Sequence, residues 1–302
     1  MRILHVTATR AALLGAVVAL TLFSAAFPAS AQTAERALYV SVLDDKDAPV
    51  ETVTPADLLV REDRVRREIL RVTPATEPMQ VALLVDTSAT LSPDAANVRD
   101  GLLAFIRKMA PAHALSIVEY GDRPSILADS TTDVAALEQG VGRVFPRKGA
   151  GAYVLDAIIE TARGIQKRES PRPVIVVIDT EGVEFSNYDW QRVLDALEAS
   201  GAALYVMNLS IGRTAGDLVS PEIRNRSIVF DRGTRQSGGY RNDLLSSLAL
   251  QQALEKLAED LLHQVKVIYA RPQALIPPDE VTVEATRAGW TARGTPVKAK
   301  GV

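Results

Sequence analysis

Two short stretches join carboxylates to hydroxyls at a spacing that suits a hard cation. VALLV (81–85) runs into Asp86-Thr87-Ser88-Ala89-Thr90, and VIVVI (174–178) runs into Asp179-Thr180-Glu181-Gly182. Asp86, Ser88 and Thr90 alternate, which puts three side-chain oxygens on one side of a tight turn. Oxygen-only donors favour Mg²⁺, or else Mn²⁺ or Ca²⁺, over softer metals. The same residues have a plainer use, because Asp, Ser and Thr side chains also satisfy backbone donors in turns. The sequence leaves both uses open: a metal site, or a capped turn in which Asp179 holds the loop onto Ser88 without an ion.

Catalysis is not expected. Ser88 follows a strand as a hydrolase nucleophile does, yet Asp86 and Thr90 stand where a Gly-x-Ser-x-Gly elbow needs glycines. Beyond the first 31 residues only His113 and His263 remain, and neither is placed to activate a nucleophile. There is no phosphate loop. The chain has no cysteine, so disulfides and thiolate metal sites are excluded. Its net charge of -3 comes with no basic block, which argues against a nucleic-acid partner.

The elements that must position these residues follow from hydrophobic patterning. VALLV (81–85), LSIVEY (115–120), VIVVI (174–178) and ALYVM (203–207) are compact apolar runs, as expected of strands covered on both faces of a parallel sheet. Helix-period stripes lie between them. Ser92-Pro93 reads as an N-cap and first helical residue ahead of Val98, Leu102, Phe105, Ile106 and Met109. Further stripes are Val134/Leu137/Val141/Val144, Leu155/Ile158/Ile159/Ala162/Ile165 and Val193/Leu194/Leu197. Alternating strands and helices imply an α/β, doubly wound, mostly parallel sheet. In such sheets ligands bind beyond the carboxyl ends of strands, where the winding reverses, so Asp86 and Asp179 are expected to meet there. The stretch 208–227 reads as a long loop, and 244–262 as one amphipathic helix with Leu248, Leu254, Leu257 and Leu261 inward.

The two ends of the chain are patterned differently. ALYVSVLD (37–44), DLLVRED (57–63), REILRV (67–72), VKVIYA (265–270) and VTVEA (281–285) are short and strand-like. None can bury a face alone, so the N- and C-terminal strands are expected to pair as a small β unit. At the start, Arg2 and Arg10 precede the uncharged apolar stretch 11–27, and Pro28-Ala29-Ser30-Ala31 supplies small residues for a signal peptidase. The expected organisation is a signal peptide (1–31), an N-terminal β segment (32–76), the α/β domain (77–263) and a C-terminal β segment (264–302). The mature protein is then secreted or periplasmic, with no membrane anchor left after cleavage.

Asp86-x-Ser88-x-Thr90 behind a buried strand resembles the Asp-x-Ser-x-Ser motif of the metal-ion-dependent adhesion site in von Willebrand factor A domains, with Thr90 in place of the last serine. Asp179 resembles that family's later aspartate. The stretch 149–157, Gly-Ala-Gly-Ala-Tyr-Val-Leu-Asp-Ala, resembles the glycine-rich loop that supplies its metal-binding threonine, and that threonine aligns with Ala152. Alanine has no oxygen to offer, so the site is incomplete. Glu181 or Asp156 could replace the oxygen, or Arg147 or Lys148 could take the cation's place electrostatically. From about residue 37 to 295 the chain is similar to bacterial exported "VWFA-related" proteins. The resemblance implies a Rossmann-like sheet and a non-catalytic role in adhesion or assembly. Two readings follow from it. In one, a protein partner's acidic side chain docks on Mg²⁺ held by Asp86, Ser88, Thr90 and Asp179. In the other, the protein is a metal-free structural scaffold in an envelope complex.

Overall fold

The computed structural model describes residues 33–209, 220–273 and 276–297. The expected signal peptide (1–31) and most of the first half of the expected 208–227 loop lie outside the described residues. Among those described, no helix is long and apolar enough to cross a membrane.

Near-continuous apolar sequence becomes a central sheet here because helices cover both of its faces. The strands are β5 (Gln80–Val85), β6 (Ala114–Glu119), β7 (Ser125–Thr131), β8 (Pro173–Asp179), β9 (Ala203–Leu209) and β10 (Arg241–Leu244). They are ordered β10-β9-β8-β5-β6-β7. All neighbouring pairs are parallel except β6 with β7. Val81, Leu83 and Val85 point to one face, packing with α1 (Ala95–Met109), α2 (Val134–Val141) and α6 (Leu250–Leu262). Ala82 and Leu84 point to the other, packing with α3 (Val154–Arg168) and α4 (Trp190–Ser200). Removing such a side chain from water is worth about 1.5–3 kcal/mol, so these two layers hold the sheet rigid beneath its loops.

The chain ends build a second layer, as expected from strands too short to stand alone. β1 (Thr33–Leu43) pairs antiparallel with β11 (Val265–Pro272) and with β13 (Thr291–Pro296), and β4 (Ile69–Pro74) flanks β11. A smaller sheet joins β2 (Leu58–Glu62), β3 (Val65–Arg67) and β12 (Val281–Ala285). Leu38, Val40, Val42, Leu58, Val60, Val267 and Val283 form their shared core. N- and C-terminal segments thus alternate in the larger sheet and share the smaller one.

Several elements differ from the sequence expectation. The Ser92-Pro93 signal does not start the helix. Those residues form a turn, and α1 begins at Ala95 after Asp94. The expected loop 208–227 contains α5 (Pro221–Ile228), started by Ser220, whose Oγ accepts from the Ile223 amide at 3.3 Å. The expected helix 244–262 begins late, because Leu244 ends β10 and Ser246 starts a short 3₁₀ turn. Leu248 therefore lies 78% exposed and not in the core. β10 has no apolar run, and β7 only the three residues Ile126-Leu127-Ala128. Both are edge strands, paired on one side only.

Candidate functional site

β5 lies between β6, which follows it, and β8, which comes later in the chain, so the winding reverses at the β5/β8 pair. The loops leaving these strands run side by side, as sheets of this kind require. Register sets Val85 opposite Ile178, which brings Asp86 and Asp179 out at the same level. Both carboxylates are fully buried, and Thr87 and Ser88 are buried with them.

Asp86 is an acceptor at both oxygens. Its Oδ1 takes the Ser88 amide at 2.8 Å; its Oδ2 takes the Thr180 hydroxyl at 2.7 Å and the Thr180 amide at 3.2 Å. A line of hydroxyls extends from this contact. Thr180 Oγ1 lies 2.7 Å from Thr90 Oγ1, which lies 2.7 Å from Ser88 Oγ. Since Thr180 donates to Asp86, the line runs in one direction: Ser88 donates to Thr90, and Thr90 donates to Thr180. Gly182 crosses close above its end. A Cβ there would sit 2.4 Å from Ser88 Oγ, so a side chain at this position would displace the hydroxyl.

Asp179 is engaged separately. Its Oδ1 shares the Tyr120 hydroxyl proton, at 3.1 Å, with the Ile178 carbonyl at 2.9 Å, and its Oδ2 accepts from the Glu181 amide at 3.2 Å. The Arg226 guanidinium stands 3.8 Å from Oδ2 and donates to the Gly182 carbonyl at 2.8 Å. Burial pushes the Asp179 carboxyl up to about 6, while Arg226 pulls it down and Asp86 raises it further. Nearby, burial lifts the Glu184 carboxyl to about 7, against its bond from Ser186 and the pull of Arg226. Glu184 Oε1 accepts from the Ser186 amide at 3.0 Å, and Ser186 Oγ in turn caps α3 by accepting from the Leu155 and Asp156 amides at 3.1 and 3.2 Å.

Ala152 lies beside the site. It is fully buried, and its backbone is fixed to the segment 183–185: its amide donates to the Val183 carbonyl at 2.7 Å, and its carbonyl accepts from the Phe185 amide at 2.8 Å. A Cβ on Gly182 would lie 3.2 Å from the Ala152 methyl, so a hydrocarbon wall stands at the position aligned with the threonine. Two of the proposed stand-ins, Glu181 and Arg147, have partners elsewhere. Glu181 accepts from Asn208 at 3.1 Å. Arg147 pairs with Glu119 and donates its amide to the Thr87 carbonyl at 2.8 Å, fastening the glycine-rich loop to the Asp86 loop.

The structure thus brings Asp86, Ser88, Thr90 and Asp179 to one edge, with Ala152 among them. Sequence reasoning missed Thr180, Tyr120 and Arg226. Thr180 adjoins Asp179 and was open to the same hydroxyl argument. Arg226 was hidden by the loop reading of 208–227, although Ser220-Pro221-Glu222 carries the N-cap, proline and acidic first turn of a helix start. His113 lies at the opposite edge, where its Nδ1 accepts from the Met79 amide at 3.2 Å just before β5 begins. Among the described residues, no group of three or more His, Cys, Asp or Glu side chains could hold a metal ion.

Residues 81–182 match the von Willebrand factor type A domain family. No curated protein matches the chain. Among solved structures, a von Willebrand factor type A protein from Catenulispora acidiphila is similar at 9% identity and a TM-score of 0.49, covering 89% of this chain and 66% of that one. The chain therefore spans just under two thirds of that protein's length. The vWF domain of the type V pili tip protein Mfa5 from Porphyromonas gingivalis is similar at 12% identity and a TM-score of 0.45, covering 61% of this chain and 95% of that one. The PilB minor pilin from Streptococcus sanguinis is similar at 11% identity and a TM-score of 0.44, covering 63% and 62%.

Proposed function

We propose, on the premise that residues 81–182 belong to the von Willebrand factor type A domain family, that this is an exported, non-catalytic protein-binding module whose partner docks on the carboxyl edge of the sheet. The observation that carries this reading is the character of that edge. Phe145, Val183 and Phe185 are 58%, 52% and 51% exposed, and they project from the two loops that enclose the hydroxyl line. Single exposed apolar residues are ordinary; several around one rigid edge mark an interaction surface. Phe185 is also held in place. Its ring rests on Gly151, where a Cβ would come within 2.1 Å of it, and lies 6.1 Å from the Tyr153 ring.

A non-catalytic role is supported by what Ser88 touches. Its hydroxyl is bonded to Thr90, and the imidazole of His113 sits at the far edge of the sheet, so that histidine is not in reach to activate it.

The donor set does not fit a divalent ion. A metal of this class takes about six oxygens, whereas here the hydroxyls of Thr180, Thr90 and Ser88 are bonded in line to Asp86 and the Arg226 guanidinium stands 3.8 Å from Asp179. Thr90 and Thr180 hydroxyls both donate and accept within the line, and Ala152 contributes no oxygen. The partner is therefore read as binding the edge directly, through apolar side chains and hydrogen bonds, with no ion between.

The test is capture of a partner from envelope extract by the wild-type chain and by Val183→Asp and Phe145→Asp. Each edge variant is expected to bind at least about tenfold more weakly, the loss of about 1.4 kcal/mol typical of an interface anchor. Leu70→Asp, on β4 of the second layer, should bind as the wild type does. Equal capture by both edge variants overturns the assignment. Export is read from Arg2, Arg10, the 11–27 apolar stretch and the small residues at 28–31. N-terminal sequencing of envelope-fraction protein should give Gln32 as the first residue, and an intact Met1 contradicts it.

A further inference from the structure

We propose that Arg226 is the resident cation of this site: its guanidinium supplies the positive charge that a divalent ion would bring, and it keeps the site closed to metal. The inference rests on the metal-free reading above and adds the residue responsible for it.

A buried carboxylate needs a positive partner or must give up its charge. Asp179 is fully buried, Asp86 lies just across the β5/β8 pair, and Glu184 follows in the same loop as Asp179. Among the described ion pairs of these three residues, the only cation is Arg226. It is built in, not a passing surface contact. α5 carries it, with Pro221 and the Ser220 cap setting the start of the helix. Its side chain is 6% exposed, and its Nη1 is anchored at 2.8 Å on the Gly182 carbonyl, in the same loop as Asp179. The charge therefore stands between the carboxylate and the backbone of the loop that covers the hydroxyls.

Two features of this edge thus complement each other. Position 152 presents a buried methyl and no oxygen, and position 226 delivers a fixed charge from a different element. Either feature alone leaves a defect: a missing ligand with the acid uncompensated, or a metal repelled by a nearby guanidinium. Together they give a site whose hydrogen bonds and charge are satisfied by the protein alone. Arg147 and Lys148, the cations nearest in sequence to the glycine-rich loop, do not have this position; Arg147 is committed to Glu119.

The experiment is Mn²⁺ and Mg²⁺ titration by calorimetry, with thermal unfolding in either ion or in chelator. It uses the full chain as wild type, Ala152→Thr, Arg226→Lys and the double variant Ala152→Thr/Arg226→Met. Wild type, Ala152→Thr and Arg226→Lys should show no metal heat and the same melting temperature in metal and chelator. The double variant should bind Mn²⁺ at least about a hundredfold more tightly than Ala152→Thr, a difference of about 2.8 kcal/mol, and should melt higher in Mn²⁺ than in chelator. If it is unfolded in chelator, folding on addition of Mn²⁺ is the expected result, and remaining unfolded in both overturns the proposal. Metal binding by the wild type overturns it too, as does binding by Ala152→Thr equal to that of the double variant. None of these outcomes bears on docking at the carboxyl edge, which the Val183→Asp and Phe145→Asp captures decide separately.

Discussion

Arg226→Met lowers the stability of the folded chain by about 3–5 kcal/mol near neutral pH, the cost of leaving a buried charge without its partner. The methionine keeps the apolar stem of the lost side chain on α5 and removes its guanidinium. What goes is the charge beside Asp179 and the donor to Gly182. The loss depends on pH in a definite direction. Burial holds the Asp179 carboxyl at about 6 even with Arg226 present, and removing the guanidinium drives it higher. A raised carboxyl costs nothing where folded and unfolded chains are both protonated. Its cost grows as pH rises from the unfolded value toward the folded one, and is complete above that. The difference between wild type and variant is therefore small in acid and largest above neutrality. Urea unfolding of both proteins across this range checks it. A loss under about 1 kcal/mol at neutral pH means Arg226 is a packing residue and not a charge partner.

Arg172→Met is expected to cost about 3–4 kcal/mol and to loosen the second layer first. The buried guanidinium of Arg172 sits at the amino edge of the central sheet, just before β8. One of its nitrogens donates to the carbonyls of Ala75 and Glu77 at 3.3 and 3.2 Å; the other donates to the Leu261 carbonyl at 2.6 Å and to Gln264 at 2.8 Å. It also lies 5.1 Å from the Tyr39 ring centroid. One side chain thus ties the linker after β4, the end of α6 and strand β1 to the central sheet. Truncation leaves several buried carbonyls without donors, each worth about 1–3 kcal/mol. Limited proteolysis should then cut within 33–43 and 265–272 before the central sheet is touched. Wild-type resistance in these strands contradicts the assigned role.

The parts of the fold legible in the sequence were those whose environment left one reading. β5, β8 and β9 are covered on both faces, and 81–85, 174–178 and 203–207 within them are apolar without interruption. β7 and β10 were missed because an edge strand is paired on one side and tolerates polar residues such as Asp129 or Asn242. Helix starts misled in both directions. Ser92-Pro93-Asp94 forms a turn behind Leu91, which is buried in the core, and the helix follows it at Ala95. Ser220-Pro221 does open a helix, inside a stretch whose polarity suggested a loop.

The candidate site divides along the same line. Asp86, Ser88 and Thr90 are local, and their alternation spoke for itself. Asp179 could be joined to them because parallel strands bring their carboxyl ends together. Tyr120 and Arg226 reach Asp179 from other elements, and nothing in their own neighbourhoods marks them. Pairing of the N- and C-terminal strands was legible for a simpler reason: neither set is large enough to bury a face alone.

The central claim is that the carboxyl edge binds its partner without a metal ion. The most direct test measures the affinity of the wild-type chain for the partner lost by Val183→Asp, once in Mg²⁺ and once in chelator. The account predicts dissociation constants that agree within about twofold, a difference of about 0.4 kcal/mol. Binding that disappears in chelator and returns with Mg²⁺ would contradict it.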